Sequence, residues 1–407
     1  MMKKSNSHMI KAAVALIAAG GSQGLLAQDT PASSLTEALT NGKVSADFRL
    51  RYESVEQDNQ LKDADALTLR SRLGYTTASF NGLSAMLEVE DVQPVAGVDD
   101  YSVGPTGFNP GEYSVIADPE TTEVDQAFLQ YSNDRINTRL GRQRIVYDNH
   151  RFIGDVGWRQ DRQTFDAFTF DFIPTKNTSL SYNYLDERNR IFADDADVDS
   201  SDHLFNASWK MPLGTLTGYA YLLDNEDADR TNDTYGARLN GSTDAGNLKL
   251  LYTAELATQD FEQGTADYEA DYYFVEGGVA FNRFTLKAGY EYLGSDDGEY
   301  GFSTPLATLH AHNGWADQFL NTPAQGLVDM SFSVGTQLAG GNLNLIYHDY
   351  EAAEDTPAVD DLGDEIDVVY SRKFGKYYSS GIKYASYSAG DINVDTDKLW
   401  VWLGMSF

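Results

Sequence analysis

Arginine recurs at alternate positions early in the chain, Arg49 and Arg51 in one run and Arg70 and Arg72 in the next. A guanidinium is always charged and presents five donors in a rigid fork, so this spacing suits carboxylates or other anions. Further bases stand at comparable polar positions: Arg139, Arg238, Lys249, Lys287, Lys383 and Lys398. Acids are interleaved among them at Asp47, Glu53, Glu88, Glu90, Asp125, Glu255, Glu276, Glu291, Asp329 and Asp367. Either the bases form a track that draws anions, or they pair with these acids and stiffen a wall. Both hold together where opposite charges face each other across a passage.

Other chemistries have less support. His310 and His312 form an H-x-H, but the chain has no cysteine and no definite third ligand accompanies them, so a polar loop contact is favoured over a metal site. Asp194, Asp195, Asp197, Asp199 and Asp202 crowd one segment, and Glu354, Asp355, Asp360, Asp361 and Asp364 another. Such clusters either hold Ca²⁺ between loops or simply keep the loops solvated, and no EF-hand pattern is present. No other cofactor is expected. Neither G-x-S-x-G nor H-E-x-x-H occurs, so no enzyme is expected. The net charge of −32 argues against a nucleic-acid partner.

The elements that position these residues alternate with period two. Val44, Ala46, Phe48, Leu50 and Tyr52 interleave with Ser45, Asp47, Arg49, Arg51 and Glu53. Leu67, Leu69, Leu73 and Tyr75 interleave with Thr68, Arg70, Arg72 and Gly74. One face meets an apolar medium and the other water. The register recurs at 83–90, 124–132, 135–143, 164–173, 179–187, 203–210, 215–224, 233–241, 247–257, 271–281, 283–293, 328–338, 342–351, 365–373, 379–388 and 397–407, giving 18 candidate strands. Alternation is poor at 124–132 and 215–224, which leaves 16 as the other count. Every second link is tight, as at Phe80-Asn81-Gly82; the intervening links, including 91–123, 144–163, 225–232, 258–270, 294–327 and 352–364, are longer and acidic. Short turns opposite long loops predict an all-β fold: a transmembrane antiparallel up-and-down β-barrel with short periplasmic turns and extracellular loops, in a bacterial outer membrane. A barrel of this size encloses an aqueous channel.

The ends fit that address. Lys3, Lys4 and Lys11, the apolar run 12–19 and the small residues before Gln28 predict a signal peptide over 1–27. Residues 28–43 then form a periplasmic segment with one short helix, capped by Ser34 with Glu37, and 44–407 the barrel. Leu399, Val401, Leu403, Met405 and the terminal Phe407 alternate on the last strand. That ending resembles the signal read by the barrel-assembly machinery.

Two blocks are specific enough to suggest a family. Leu140-Gly141-Arg142-Gln143-Arg144-Ile145, Asp148-Asn149-His150-Arg151-Phe152-Ile153-Gly154, Trp158-Arg159-Gln160 and Phe165-Asp166-Ala167 form the first. The second is Phe302-Ser303-Thr304-Pro305-Leu306-Ala307-Thr308 with Asn313-Gly314-Trp315-Ala316-Asp317 and Phe319-Leu320-Asn321-Thr322-Pro323. Together with 35–53 they resemble the alginate-export family of outer-membrane porins. The resemblance implies a monomeric barrel in lipid and lipopolysaccharide with an arginine-lined pore. Its constriction candidates are Arg142, Arg144, Arg151, Trp158, Arg159, Arg162, Trp315 and Asp317, the five arginines as pore constriction or equally as pins that hold a loop to the wall through carboxylates, and the two tryptophans as sugar-stacking platforms or as plugs of a folded-in loop. The expected role is passive passage of small, anionic or sugar solutes. The alternatives are a polysaccharide or oligosaccharide channel, and a loop-plugged barrel serving as scaffold or adhesin.

Overall fold

The computed structural model describes residues 31–104 and 109–407, so the expected signal segment lies outside the described residues. Ser34 caps helix α1 (Leu35–Thr40) by accepting from the Glu37 N–H, and the Glu37 carboxylate reaches back to the Ser33 N–H at 2.7 Å. The capping expected from the sequence is therefore present, one residue longer on its return arm.

The first nine strands are β1 (Lys43–Gln57), β2 (Ala64–Thr76), β3 (Leu83–Asp100), β4 (Thr121–Ser132), β5 (Ile136–Gln143), β6 (Thr164–Thr175), β7 (Thr178–Asn189), β8 (Val198–Met211) and β9 (Gly214–Asn225). They are followed by β10 (Arg230–Ala245), β11 (Leu248–Gln263), β12 (Ala266–Phe281) and β13 (Phe284–Leu293). The short arms β14 (Ser295–Asp296) and β15 (Tyr300–Gly301) form a hairpin apart from the main sheet. The last five are β16 (Leu327–Leu338), β17 (Gly341–Thr356), β18 (Val359–Phe374), β19 (Tyr378–Ala389) and β20 (Thr396–Ser406).

Among the described residues, eighteen strands make one antiparallel sheet, and β1 pairs with both β2 and β20, which closes it. Closure removes the unpaired edges that lipid would leave unsatisfied. The segments with poor alternation, β4 and β9, hold full places in the sheet, so the count is 18 rather than 16. Among the described residues no helix is long and apolar enough to cross a membrane.

Register sorts the faces. Leu50 lies opposite Leu69 on one side and Leu403 on the other, an apolar row pointing outward. One residue along, Arg49 lies opposite Arg70 on the inward face. A slip of one residue would exchange the two rows. Phe374, Tyr377, Tyr378 and Phe407 are exposed at the short-turn end, and Tyr290, Tyr347 and Tyr384 about six residues up their strands. Six residues of strand span about 20 Å along the strand, so two rows of aromatic rings bracket an apolar stretch of the outer wall, as girdles do. At the tight end, Asn81 (φ 53°) and Gly82 (φ 86°) both occupy the left-handed region that a two-residue type I′ turn requires.

The long-loop end departs from expectation. The segments expected as loops at 225–232, 258–270 and 352–364 are mostly strand, because β9 to β12, β17 and β18 run on and leave turns of two to four residues. Above the apolar band both faces are wet, so the alternation fades while the backbone ladder continues. Asp202 and Asp364 therefore sit on strands, and Asp202 is a buried, bidentate partner of Arg188 at 2.6 and 2.8 Å rather than a loop acid.

Replacing Leu50 by Arg should lower the unfolding free energy in lipid vesicles by about 2–4 kcal/mol, the cost of a cation on the lipid face near mid-bilayer. Denaturant titration measures it, and a loss under about 0.5 kcal/mol would place Leu50 elsewhere.

Candidate functional site

Three long connections turn into the lumen: 101–120 after β3, 144–163 after β5 and 302–326 before β16. Their apolar residues meet inward-facing strand residues in a core inside the barrel. Phe152, Ile153, Phe302, Leu306 and Ala316 from the loops pack with Phe165, Tyr272, Tyr350 and Trp400. A second cluster joins Tyr101, Val103 and Ile116 to Val55, Ala64 and Ala66. The loops 144–163 and 302–326 also bond to each other, the Gly154 N–H donating to the Leu306 carbonyl at 2.7 Å.

Ion pairs fasten these loops to the wall. Arg151 donates to Glu291 at 2.7 Å and to Asn313 at 3.0 Å. Arg159 donates to both oxygens of Glu53 at 3.0 Å and to Asp317 at 3.1 Å. Arg162 pairs with Asp125 and Glu88. Arg144 pairs within its own loop with Asp155. Arg142 differs: it follows the outward Leu140 by two residues and pairs with Asp166 at 2.9 Å on the outer face. It is thus not a constriction residue, because strand alternation in β5 turns it away from the lumen.

The inner wall is equally paired. Arg70 meets Asp47, Arg72 meets Glu90 and Asp125, Arg51 meets Glu53 and Asp118, Arg238 meets Glu255, and Lys287 meets Glu276 at 2.9 Å. Asp329 and Asp367 have His348 at 2.9 and 3.8 Å. Nine of the ten acids expected on this face therefore have a close basic partner, while Asp367 is only approached by His348 and has no hydrogen bond at either oxygen. Arg139 is buried over the Phe128 ring, and Lys249 stands near the short-turn mouth opposite Asp244 and Ala280.

Arg49 is held in another way. Its guanidinium donates to the Trp158 carbonyl at 2.8 Å, to the Gly157 and Arg159 carbonyls, and to Gln160 Oε1 at 2.9 Å. Among the described residues no carboxylate lies within ion-pair distance of it. Its charge is therefore balanced by backbone dipoles instead of an acid.

Asp317 ties the loops to β19 and β20. It accepts from Lys398 at 2.8 Å, from Arg159 and from His310 Nδ1 at 2.6 Å. Burial lowers the His310 pKa well below the imidazole value, so the neutral ring gives its Nδ1–H to Asp317 and accepts from Lys383 at Nε2, 2.6 Å away. Burial opposes ionisation of Asp317, yet the His310 N–H, Lys398 and Arg159 hold it well below the carboxylate range. The Lys383 ammonium lies 3.8 Å from the centre of the Trp315 ring and 4.2 Å from that of Trp158. Trp158 in turn stacks on His310 at 5.0 Å. Both tryptophans thus grip a lysine of the wall, which is the plug-type contact and not an open stacking platform. Gly314 (φ 85°) passes so close to Glu365 and Tyr350 that a Cβ would strike both.

Sequence reasoning missed Asp118, Gln160 and Glu365. Asp118 is buried beside Arg51 and accepts the Gln160 N–H at 3.0 Å; its signal was the apolar triplet Val115-Ile116-Ala117 in an otherwise acidic loop. Gln160 bonds Thr68 at 2.8 Å, and Glu365 accepts the Ala316 N–H at 2.7 Å.

A closed 18-strand barrel, apolar outside and narrowed by inward loops, defines an outer-membrane barrel of the porin type. A family model described as alginate export matches residues 41–294, and the chain belongs to the alginate export family. Solved structures of the same fold include OccAB4 of Acinetobacter baumannii, with TM-score 0.73 and 13% identity over 90% of this chain and 98% of that one. OccK9 (OpdG) of Pseudomonas aeruginosa gives 0.71 and 15% over 91% and 100%. OpdK of Pseudomonas aeruginosa, solved with vanillate, gives 0.69 and 14% over 90% and 98%. No curated protein matches the sequence.

Asp317→Asn should leave Lys398 and Arg159 undercompensated, costing about 3–5 kcal/mol as the loss of a buried partner does. Limited trypsin digestion should then cut after Arg144, Arg151, Arg159 or Arg162 in the loop 144–163 several-fold faster; an unchanged rate would remove Asp317 from the role of tie.

Proposed function

We propose that the barrel conducts small hydrophilic anions, with carboxylate-bearing solutes as the preferred class. The observation that carries this reading is the guanidinium row Arg49, Arg51, Arg70 and Arg72 beneath the inward loops, in which Arg49 and Arg70 face each other directly and Arg49 is balanced by carbonyl dipoles. Like charges held this close lower the cost of placing an anion beside them. Vanillate, present in the solved structure of the similarly folded OpdK, is an aromatic carboxylate of the class proposed here.

The core shared by the loops fills part of the lumen, which favours small solutes over a polysaccharide strand. The same core is what a plugged barrel acting as scaffold or adhesin would display, and conductance decides between the two. Passage is passive, in the direction of the gradient, and the chain performs no reaction of its own. The family resemblance favours a monomer over a trimer. Phe407, 59% exposed at the end of the last strand, would serve as the assembly signal.

In planar bilayers under a salt gradient, the purified protein should conduct with a reversal potential on the anion side. Benzoate-type carboxylates should block more strongly than neutral sugars or oligouronates. Arg49→Ala should move the reversal potential toward zero. Cation preference, or silence at every voltage, would defeat the proposal.

A further inference from the structure

Glu90 on β3 and Glu123 on β4 are direct cross-strand partners facing the lumen, and Asp161 of the inward loop 144–163 descends onto them. One carboxylate oxygen from each of the three lies within 4.8 Å of the others. Directly opposed like charges destabilise a strand pair unless something sits between them. Arg72 occupies Oε2 of Glu90, and the Ala193 N–H reaches Oδ2 of Asp161 at 3.3 Å. The remaining oxygens, Glu90 Oε1 and Asp161 Oδ1, are buried with no hydrogen-bond partner on side chains that are fully inaccessible. A buried carboxylate oxygen left unpaired is costly, and two beside one another more so.

The surroundings do not supply the missing charge. Arg72 pairs with Glu90 and Asp125, and Arg162 with Asp125 and Glu88, so the two guanidiniums nearest the group are already engaged, and among the described residues neither is bonded to Glu123 or Asp161. Five carboxylates against two guanidiniums leave an excess that one divalent cation largely cancels.

We infer that Glu90, Glu123 and Asp161 form a divalent-cation site of the calcium class, which ties the inward loop 144–163 to β3 and β4. Calcium accepts six to eight oxygens at about 2.3–2.6 Å in loose geometry, so oxygens up to 4.8 Å apart can surround it. Magnesium demands about 2.0–2.1 Å and near-ideal octahedra, which suits this spread less well. Glu123 is half-buried, so water can complete the shell from its side. The site differs from the solvated acids of the outer rim, which bond to backbone N–H groups, as Asp391 does to Asp360 and Asp361.

The competing arrangement is protons shared among the three carboxyls. Burial, with Glu123 and Glu90 beside it, raises the Asp161 pKa well above its ordinary value, and a cation would displace that proton. The test uses the full barrel refolded in detergent and stripped with EDTA. Calcium chloride is titrated by calorimetry at pH 7.5, and the thermal midpoint is read with and without it. Wild type should bind one calcium that Asp161→Asn and the milder Glu123→Gln bind at least 10-fold more weakly, and its calcium-dependent rise in midpoint should vanish in both. The rim variant Asp360→Asn with Asp361→Asn should keep both responses. Equal calcium binding by wild type and the two site variants would overturn the proposal. So would a wild type stabilised by acid but indifferent to calcium, which would assign the cluster to shared protons.

Discussion

Charge pairing across the lumen is the interaction on which the inner architecture rests. A guanidinium withdrawn from bulk water is stable only with a carboxylate or aligned dipoles against it, and each inward loop of this barrel brings what the wall lacks. Arg159 reaches Glu53 on β1, Arg151 reaches Glu291 on β13 and Arg162 reaches Asp125 on β4, so a single loop is fastened at three places around the circumference. Asp317 answers from the other loop, meeting Arg159 and Lys398 at once. Removing one of these charges leaves its partner undercompensated where bulk water cannot make up the loss, although Arg159 and Arg162 each keep a second carboxylate.

The same pairing sets the electrical character of the passage. Had the wall bases been free, the lumen would be strongly basic throughout; instead nearly all are neutralised in place. What distinguishes one station from another is how the neutralisation is done. Arg49 is balanced by carbonyls of 157–159, which carry partial charges only, while Arg70 opposite it has Asp47. Near Arg49 the positive charge is thus met by aligned carbonyls rather than by a bonded carboxylate, at the level where the loop crosses β1.

Apolar burial contributes the stiffness. The loops carry Phe152, Phe302 and Leu306 into contact with Tyr272 and Trp400, which removes from water rings that a wide aqueous channel would leave wet. Left-handed residues in the folded-in loops, among them His150, Val156, Asn313 and Asp317, are conformations a free loop would abandon. They persist because the packing and the ion pairs hold the backbone from both sides.

The barrel class and the two faces of its strands were determined by the sequence alone, because a period-two pattern needs only the contrast between lipid and water to be readable; the choice of 18 strands over 16 was decided by the sheet, where the weakly alternating β4 and β9 take full places. Leu50 and Arg49 are adjacent letters and opposite surfaces. The identity of the lumen acids and bases followed from the same pattern. Partnership did not: that Arg162 meets Asp125, or that Lys383 lies between Trp158 and Trp315, depends on where loops of twenty or more residues come to rest. Arg142 shows the limit, since its place in a family-like block said nothing of which way β5 would turn it. Asp202 shows it again, an acid that looked like loop solvent until strand extension set it against Arg188. Local pattern is encoded in neighbouring residues, whereas pairing between segments a hundred positions apart is decided only when the closed sheet brings them face to face.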